Sequence, residues 1–216
     1  MPHASPRSDT TLLYLIRHGA TDANERRPYI LQGCGIDLPL SDAGRRQAAA
    51  VAEFLRPFPI RAVFSSLLKR SIETAGAIAE PHGFDATPLQ PLGECNVGRW
   101  EGKDWDSISR EHPEEYRAFM DDPWNTPYLG GESYADVLAR TEPVLRRIME
   151  NYPGRSIVVV AHQVVNRAYL AHLLKLDLHH ARGIRQSNTG INVIQFRDGE
   201  AELRTLNADF HLSSQR

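Results

Sequence analysis

Two unbroken apolar runs constrain this chain more than any other feature: Leu12-Leu13-Tyr14-Leu15-Ile16 and Ile157-Val158-Val159-Val160-Ala161. A strand wetted on one face alternates apolar and polar residues. A strand apolar at every position needs cover on both faces, the condition of central strands in a parallel sheet. Each run stops abruptly on residues of opposite character, Arg17-His18-Gly19 after the first and His162 after the second. A third, shorter run, Ala62-Val63-Phe64, leads through Ser65-Ser66 into a helical pattern.

Parallel strands need crossover connections, and the intervening segments have helical periodicity. Ser41 or Asp42 can cap a helix with apolar positions at Ala48, Val51, Ala52 and Leu55, which Pro57 and Pro59 terminate. Leu68, Ile72, Ala75 and Ala79 predict the stripe of a second helix. From Glu132 a long amphipathic helix carries Tyr134, Val137, Leu138, Thr141, Leu145 and Ile148 on one face, with Pro143 expected to bend or split it and Gly154 to end it. A further helical stretch runs from His162 through Leu174. Asn192 to Phe196 and Ala201 to Leu206, flanking Asp198-Gly199, predict a hairpin.

The expected fold is therefore α/β, a three-layer sandwich with a largely parallel central sheet flanked by helices. Residues 1–10, rich in Pro, Ser and charge, read as a flexible N-terminal tail, and residues 11–216 as a single domain with a helical excursion near 101–130. Within 101–122 eight acids oppose only Lys103, Arg110 and Arg117, the composition of a solvated helical segment.

Composition narrows the function. With 25 Lys plus Arg against 27 Asp plus Glu, the 216-residue chain lacks the basic excess that nucleic-acid binding requires. Its 41% hydrophobic content is enough for a sizeable core. No apolar run reaches the ~18 residues of a membrane span, and the first residues lack the apolar stretch of a secretory signal, so a soluble, cytoplasmic protein is expected. Cys34 and Cys95 show neither disulfide-framework nor zinc spacing and read as free thiols. No feature demands an oligomer.

Ligands of such sheets gather at the carboxyl ends of the strands. There the chain places Arg17-His18-Gly19, then Ser65 to Arg70, then His162. Arg70 lies two positions beyond Leu68, about 200° around a helix, and so points away from the apolar stripe. Two histidines, two arginines and a helix N-terminus converging on one point suit a tetrahedral dianion, and phosphate is the natural guest. Guanidinium forks bind phosphate oxygens bidentately, and an imidazole with a free ring nitrogen is a nucleophile towards phosphorus that cationic neighbours would keep neutral.

Five ordered segments, LIRHGATDAN, QGCGIDLPLSDAGRRQA, FSSLLKRSIETA, LGECNVGRWEGK and IVVVAHQVVNR, resemble the motifs of the histidine phosphatase superfamily, which includes cofactor-dependent phosphoglycerate mutases. The resemblance spans residues 12–212 and favours the phosphatase branch. It implies that His18 is the nucleophile, forming a phosphohistidine that water then hydrolyses, and that Arg17, Arg70 and His162 bind the phosphoryl group. Glu94 would protonate the leaving oxygen and later activate water. Asn24, Gln32, Gly33 and Gln163 match positions on the substrate side, and the implied substrate is a small phosphorylated metabolite. No metal or other cofactor is expected, because the arginines and His162 would supply the charge that magnesium supplies elsewhere.

Departures from the family pattern bear on specificity. Gln163 puts a bulky amide where many members have glycine. Residues 94–103 lack the longer basic motif of mutases, no Arg-Arg pair follows, and the acidic excursion would repel a bisphosphorylated intermediate, so hydrolysis is favoured over mutase transfer. The alternatives are a cofactor-dependent phosphoglycerate mutase and a non-catalytic module that binds phosphorylated ligands. Arg26 and Arg27 fit either a substrate's anionic tail or a solvated loop equally well.

Overall fold

The computed structural model describes residues 6–176 and 178–215, so residues 1–5 of the expected tail lie outside the described residues. Asp9 already pairs with Arg197 at 3.3 Å, and the first strand, β1 (Thr10–Arg17), begins at Thr10. β2 (Ile60–Ser65), β3 (Thr87–Pro88), β4 (Ser156–Ala161), β5 (Ile191–Arg197) and β6 (Glu200–Ala208) join β1 in one sheet of order β3-β2-β4-β1-β5-β6. The four strands from β3 to β1 are parallel, while β5 runs antiparallel to β1 and β6 to β5. Asp198 and Gly199, at φ 52° and 82°, make the tight turn that the sequence predicts for this hairpin.

Every residue of β4 is buried, as its unbroken apolar sequence requires. In β1 the alternation sorts side chains by layer. Leu13 and Leu15 pack with Leu145 and Ile148 of α6 (Tyr134–Glu150) and with Val165 and Ala168 of α7 (Gln163–Leu173). Tyr14 and Ile16 face the other way, against Val51 and Leu55 of α2 (Asp42–Leu55) and Ala75 and Ile78 of α3 (Lys69–Ala79). The short α1 (Asp22–Glu25) follows β1, and α4 (Trp105–Glu111) with α5 (Pro113–Asp121) forms the excursion. Among the described residues no helix is long and apolar enough to cross a membrane.

α2 has the expected stripe, with Ser41 as its cap accepting from Gly44 N at 3.0 Å. α3 differs. Leu68 is its N-cap, Ile72 is 42% exposed, and the buried face is Arg70, Ser71, Thr74, Ala75, Ile78 and Ala79. The polar members of that face are buried because the ends of the strands offer them partners. Ser71 Oγ donates to Val160 O at 2.7 Å, and Thr74 Oγ1 accepts from Gly19 N at 3.0 Å.

α6 is not split at Pro143. The ring and Ala139, whose carbonyl loses its helical partner, both lie on the exposed side, where water can serve that carbonyl. Nor is the excursion simply a solvated segment. Trp100, Ile108 and Phe119 are fully buried, with Trp100 edge-on to Phe119 at 5.4 Å and Phe119 4.3 Å from Tyr128. These apolar residues lie on a turn and two separate helices, so no single helical period displays them, and the charge count masks a small aromatic core.

Candidate active site

β1 and β4 are hydrogen-bonded neighbours with Arg17 opposite Ala161, so the residues that follow them leave the sheet side by side. His18 N donates to Ala161 O at 3.0 Å, and the His18 and His162 ring centroids are 5.1 Å apart. Gly19 lets the chain turn immediately: a Cβ there would lie 2.7 Å from Gly44 O, and one on Gly44 would lie 1.9 Å from Ala20 O. The first turn of α2 thus packs backbone to backbone on the loop that carries His18, which only glycine at both positions permits.

A hydrogen bond assigns the His18 tautomer. His18 Nδ1 lies 2.7 Å from Gly19 O, an acceptor only, so Nδ1 carries the proton and Nε2 keeps its lone pair. Ser66 Oγ accepts from Leu68 N at 3.2 Å and lies 2.7 Å from His162 Nε2. With that hydroxyl donating to Nε2, the His162 proton would sit on Nδ1, a buried atom without a partner in the protein. Burial first, then the Arg70 and Arg17 charges, hold both imidazoles well below their usual pKa, and His18 adds to the effect on His162. Both rings are neutral near pH 7.

This has a measurable cost in acid. The unfolded chain takes up protons at these histidines as pH falls through about 6.5, while the folded chain does not, so stability is fully present above that pH and is lost below it. The expected slope approaches about 1.4 kcal/mol per pH unit for each ring. Urea denaturation at about pH 7.5 and 5.5 should show the loss, and replacing both histidines with asparagine should remove most of it. A slope unchanged by that replacement would contradict the assignment.

Arg17 and Arg70 are both buried with their Nε atoms unpartnered in the protein. Arg17 Nη1 donates to Gln186 O at 2.8 Å, and Gln186 is itself held by Asn166 and Asn192. Arg70 Nη2 and Nη1 donate to Gly33 O and Ile36 O at 2.8 and 3.0 Å. Burial pulls both guanidinium groups below the usual arginine value, a shift that Glu94 opposes, and each still carries its charge at neutral pH.

The helix N-terminus expected to help hold the anion is occupied. The amides of Gln163 and Val164 that open α7 donate to Glu94, at 3.0 Å for Gln163, and the Lys69 amide of α3 donates to Asp37 Oδ1 at 2.8 Å. Cys95 N also donates to Glu94 Oε1 at 2.9 Å, fixing that carboxyl beside His162.

A cavity of about 520 Å³ adjoins these groups, with Gln32, Glu94 and Gln163 in its wall. Asn24 is not in that wall. Its Oδ1 accepts from Thr21 N at 3.1 Å in a capping box on α1, and from Asn188 Nδ2, whose other bond is to His18 O. Gln32 bridges Thr21 Oγ1 and Ile36 O, and Gly33 contributes its backbone to Arg70. Arg26 and Arg27 are exposed, with Arg27 Nη1 on the carbonyls of Asn24, Glu25 and Arg26, the solvated-loop alternative.

The cavity wall also holds Arg167, Arg182, Tyr29, Trp105, Tyr128 and Tyr134, which sequence reading missed. Arg167 was legible in principle, since it stands four residues after Gln163 and shares its helix face. Arg182 lies over the Trp105 ring at 5.1 Å. Glu94 is the acid in this wall, and the acids of the excursion are not part of it. The repulsion expected of them towards a second phosphate is therefore not a property of the cavity.

Two neutral imidazoles, two buried cations and a fixed carboxyl gather at the switch point of the sheet, and comparison with known proteins identifies the family. The chain belongs to the histidine phosphatase superfamily, branch 1, whose family model matches residues 13–209. It is 30% identical over 200 residues to phosphoserine phosphatase 1 of Hydrogenobacter thermophilus, covering 93% of each chain. A mycobacterial glucosyl-3-phosphoglycerate phosphatase superposes with a TM-score of 0.82 at 29% identity, over 93% of this chain and 100% of that one. A phosphoserine phosphatase mutant from Entamoeba histolytica, in complex with phosphoserine, superposes with a TM-score of 0.84 at 27% identity, over 94% and 99%. The chain is accordingly a phosphatase with the α/β fold of that family.

Proposed function

We propose that this protein is a cytoplasmic phosphomonoesterase that works through a phosphohistidine at His18, without a metal, on a small metabolite carrying a second anionic group. The observation that carries the reading is the pair of neutral imidazoles 5.1 Å apart, beside two buried arginines whose Nε–H groups have no protein acceptor. His18 Nε2 attacks phosphorus and the ester P–O bond breaks. The leaving oxygen takes the proton of the Glu94 carboxyl. That carboxylate then takes a proton from water as the water oxygen attacks phosphorus, the P–N bond breaks, and inorganic phosphate leaves with the His18 lone pair restored. Arg17, Arg70 and the His162 Nδ1–H follow the charge on the transferring oxygens.

Arg167 and Arg182, in a wall they share with Tyr29, Trp105, Tyr128 and Tyr134, favour an ester with a carboxylate or second phosphate. Phosphoserine and glucosyl-3-phosphoglycerate, named for the relatives above, both carry a carboxylate. Two unpaired cysteines suit a reducing compartment. The test is phosphate release in excess chelator from phosphoserine, 3-phosphoglycerate and an uncharged alkyl phosphate. Hydrolysis of an anionic ester, weakened about tenfold or more in KM by Arg167→Ala, is expected. Preference for the uncharged ester would overturn the substrate class, and turnover of 3-phosphoglycerate only with bisphosphoglycerate present would indicate a mutase.

A further inference from the structure

Glu101 sits among residues that composition marks as solvated, yet it turns inward. Its Oε1 accepts from Gly33 N at 2.7 Å and Ile36 N at 3.1 Å, and its Oε2 accepts from Gly35 N at 3.3 Å. The carbonyls of two of those residues, Gly33 and Ile36, are the acceptors for Arg70 Nη2 and Nη1. The loop is therefore gripped by a carboxylate through its N–H groups and grips a guanidinium through its C=O groups.

We propose that Glu101 is a positioning residue for Arg70, acting through the Gly33–Ile36 loop to set the guanidinium plane that meets phosphate. The proposal rests on the reading above only in taking Arg70 to hold the phosphoryl group. The loop cannot hold this shape by itself: residues 31–40 contain no helix or strand, and two of the three clamped residues are glycines, which lose the most conformational freedom on ordering. Gly33 has no alternative there, since a Cβ would stand 2.6 Å from Cys95 O and 2.8 Å from Glu101 Oε2. Its place in the family motif thus has a cause in the clamp as well as in any substrate contact.

With one N–H of each Arg70 terminal nitrogen committed to the loop, Nε–H and the remaining two are left for a ligand. The two loop carbonyls define a plane, and bidentate phosphate binding depends on that plane. Glutamate is the right residue because it only accepts. Glutamine keeps one carbonyl oxygen for Gly33 and Ile36 but can set an NH2 against the Gly35 N–H, and alanine releases all three amides.

The experiment is calorimetric binding of inorganic phosphate to the full chain: wild type, Glu101→Gln, Glu101→Ala, Arg70→Lys and the Glu101→Ala/Arg70→Lys double variant. Melting temperatures and aryl phosphate turnover are measured alongside. Glu101→Ala should weaken phosphate about tenfold, Glu101→Gln less, and the double variant should bind within about twofold of Arg70→Lys alone, since the clamp acts only through that arginine. Losses that multiply in the double variant, phosphate affinity unchanged in a folded Glu101 variant, or no phosphate binding by wild type would each overturn the proposal. If Glu101→Ala does not fold, Glu101→Gln paired with Arg70→Lys decides by the same comparison. A wild type that binds phosphate but hydrolyses no ester refutes the phosphatase mechanism and leaves the clamp standing. One that hydrolyses through His18 with Glu101 inert refutes the clamp alone.

Discussion

Alanine at position 18 is expected to lower kcat for any phosphate ester by about 10⁴-fold or more, the scale of losing a nucleophile whose neighbours act as one unit with it. The fold should survive. His18 is buried, but its side chain makes one hydrogen bond, to Gly19 O, and the backbone contacts that hold the loop, to Ala161 O and Asn188 Nδ2, do not involve the imidazole. Removing the ring also relieves a group held neutral against its tendency to ionise, so the variant should match or exceed wild type in stability at pH about 6 while losing turnover. Measuring kcat and a urea midpoint on the same preparation separates these effects. Substantial residual turnover in a folded His18→Ala variant would remove His18 as nucleophile.

Glu94→Gln is the second large effect, and its signature is a ratio. Glutamine is nearly isosteric, and its one carbonyl oxygen can still accept from Gln163 N or from Cys95 N while its NH2 faces the other amide, so the cap on α7 is weakened but the strand end that carries His162 should persist. What it cannot do is deliver a proton to a leaving oxygen. An alkyl phosphate, whose alkoxide needs that proton, should lose about 10²–10⁴-fold in kcat/KM, whereas an activated aryl phosphate, whose leaving group departs unassisted, should lose far less. Parallel losses on the two substrates would leave Glu94 a structural cap of α7 and nothing more.

The sequence was most legible where one cause acts alone. The apolar runs at Leu12–Ile16 and Ile157–Ala161 admit one environment, and their abrupt ends locate His18 and His162. Arg70 was expected to point away from an apolar stripe, but the stripe was misplaced and Arg70 belongs to the buried face of α3: Ser71 and Thr74 beside it are buried by hydrogen bonds to Val160 O, Ser66 N and Gly19 N, and hydrophobicity carries no record of such partners. The same blindness made Glu101 a solvated acid and hid the role of Ser66 in orienting His162. Asn24 matched a family motif, and in the fold it meets the site through Thr21 and Asn188 instead of the cavity. Pro143 shows the converse error, a strong local rule relaxed because its consequence falls on the wet side of α6.

The excursion shows why net charge is a weak guide to a pocket. Eight acids outnumber the bases there, but side chains on a two-helix unit have an outside, and the charges occupy it while Trp105 faces the cavity under Arg182. The field a ligand meets is set by the lining, whose charged residues are Arg167, Arg182 and Glu94.

The most direct test of a phosphohistidine mechanism is to trap the intermediate. Glu94→Gln, in which attack by water is slowed, is mixed with an aryl phosphate in excess chelator, quenched in alkaline denaturant within the first turnovers, and mapped by mass spectrometry. The account predicts one phosphoryl group on His18, stable to alkali and lost in acid, and none in the Glu94→Gln/His18→Ala double variant. A phosphoryl group on any other residue, or first-turnover release of the aryl alcohol that leaves none on the protein, would contradict it.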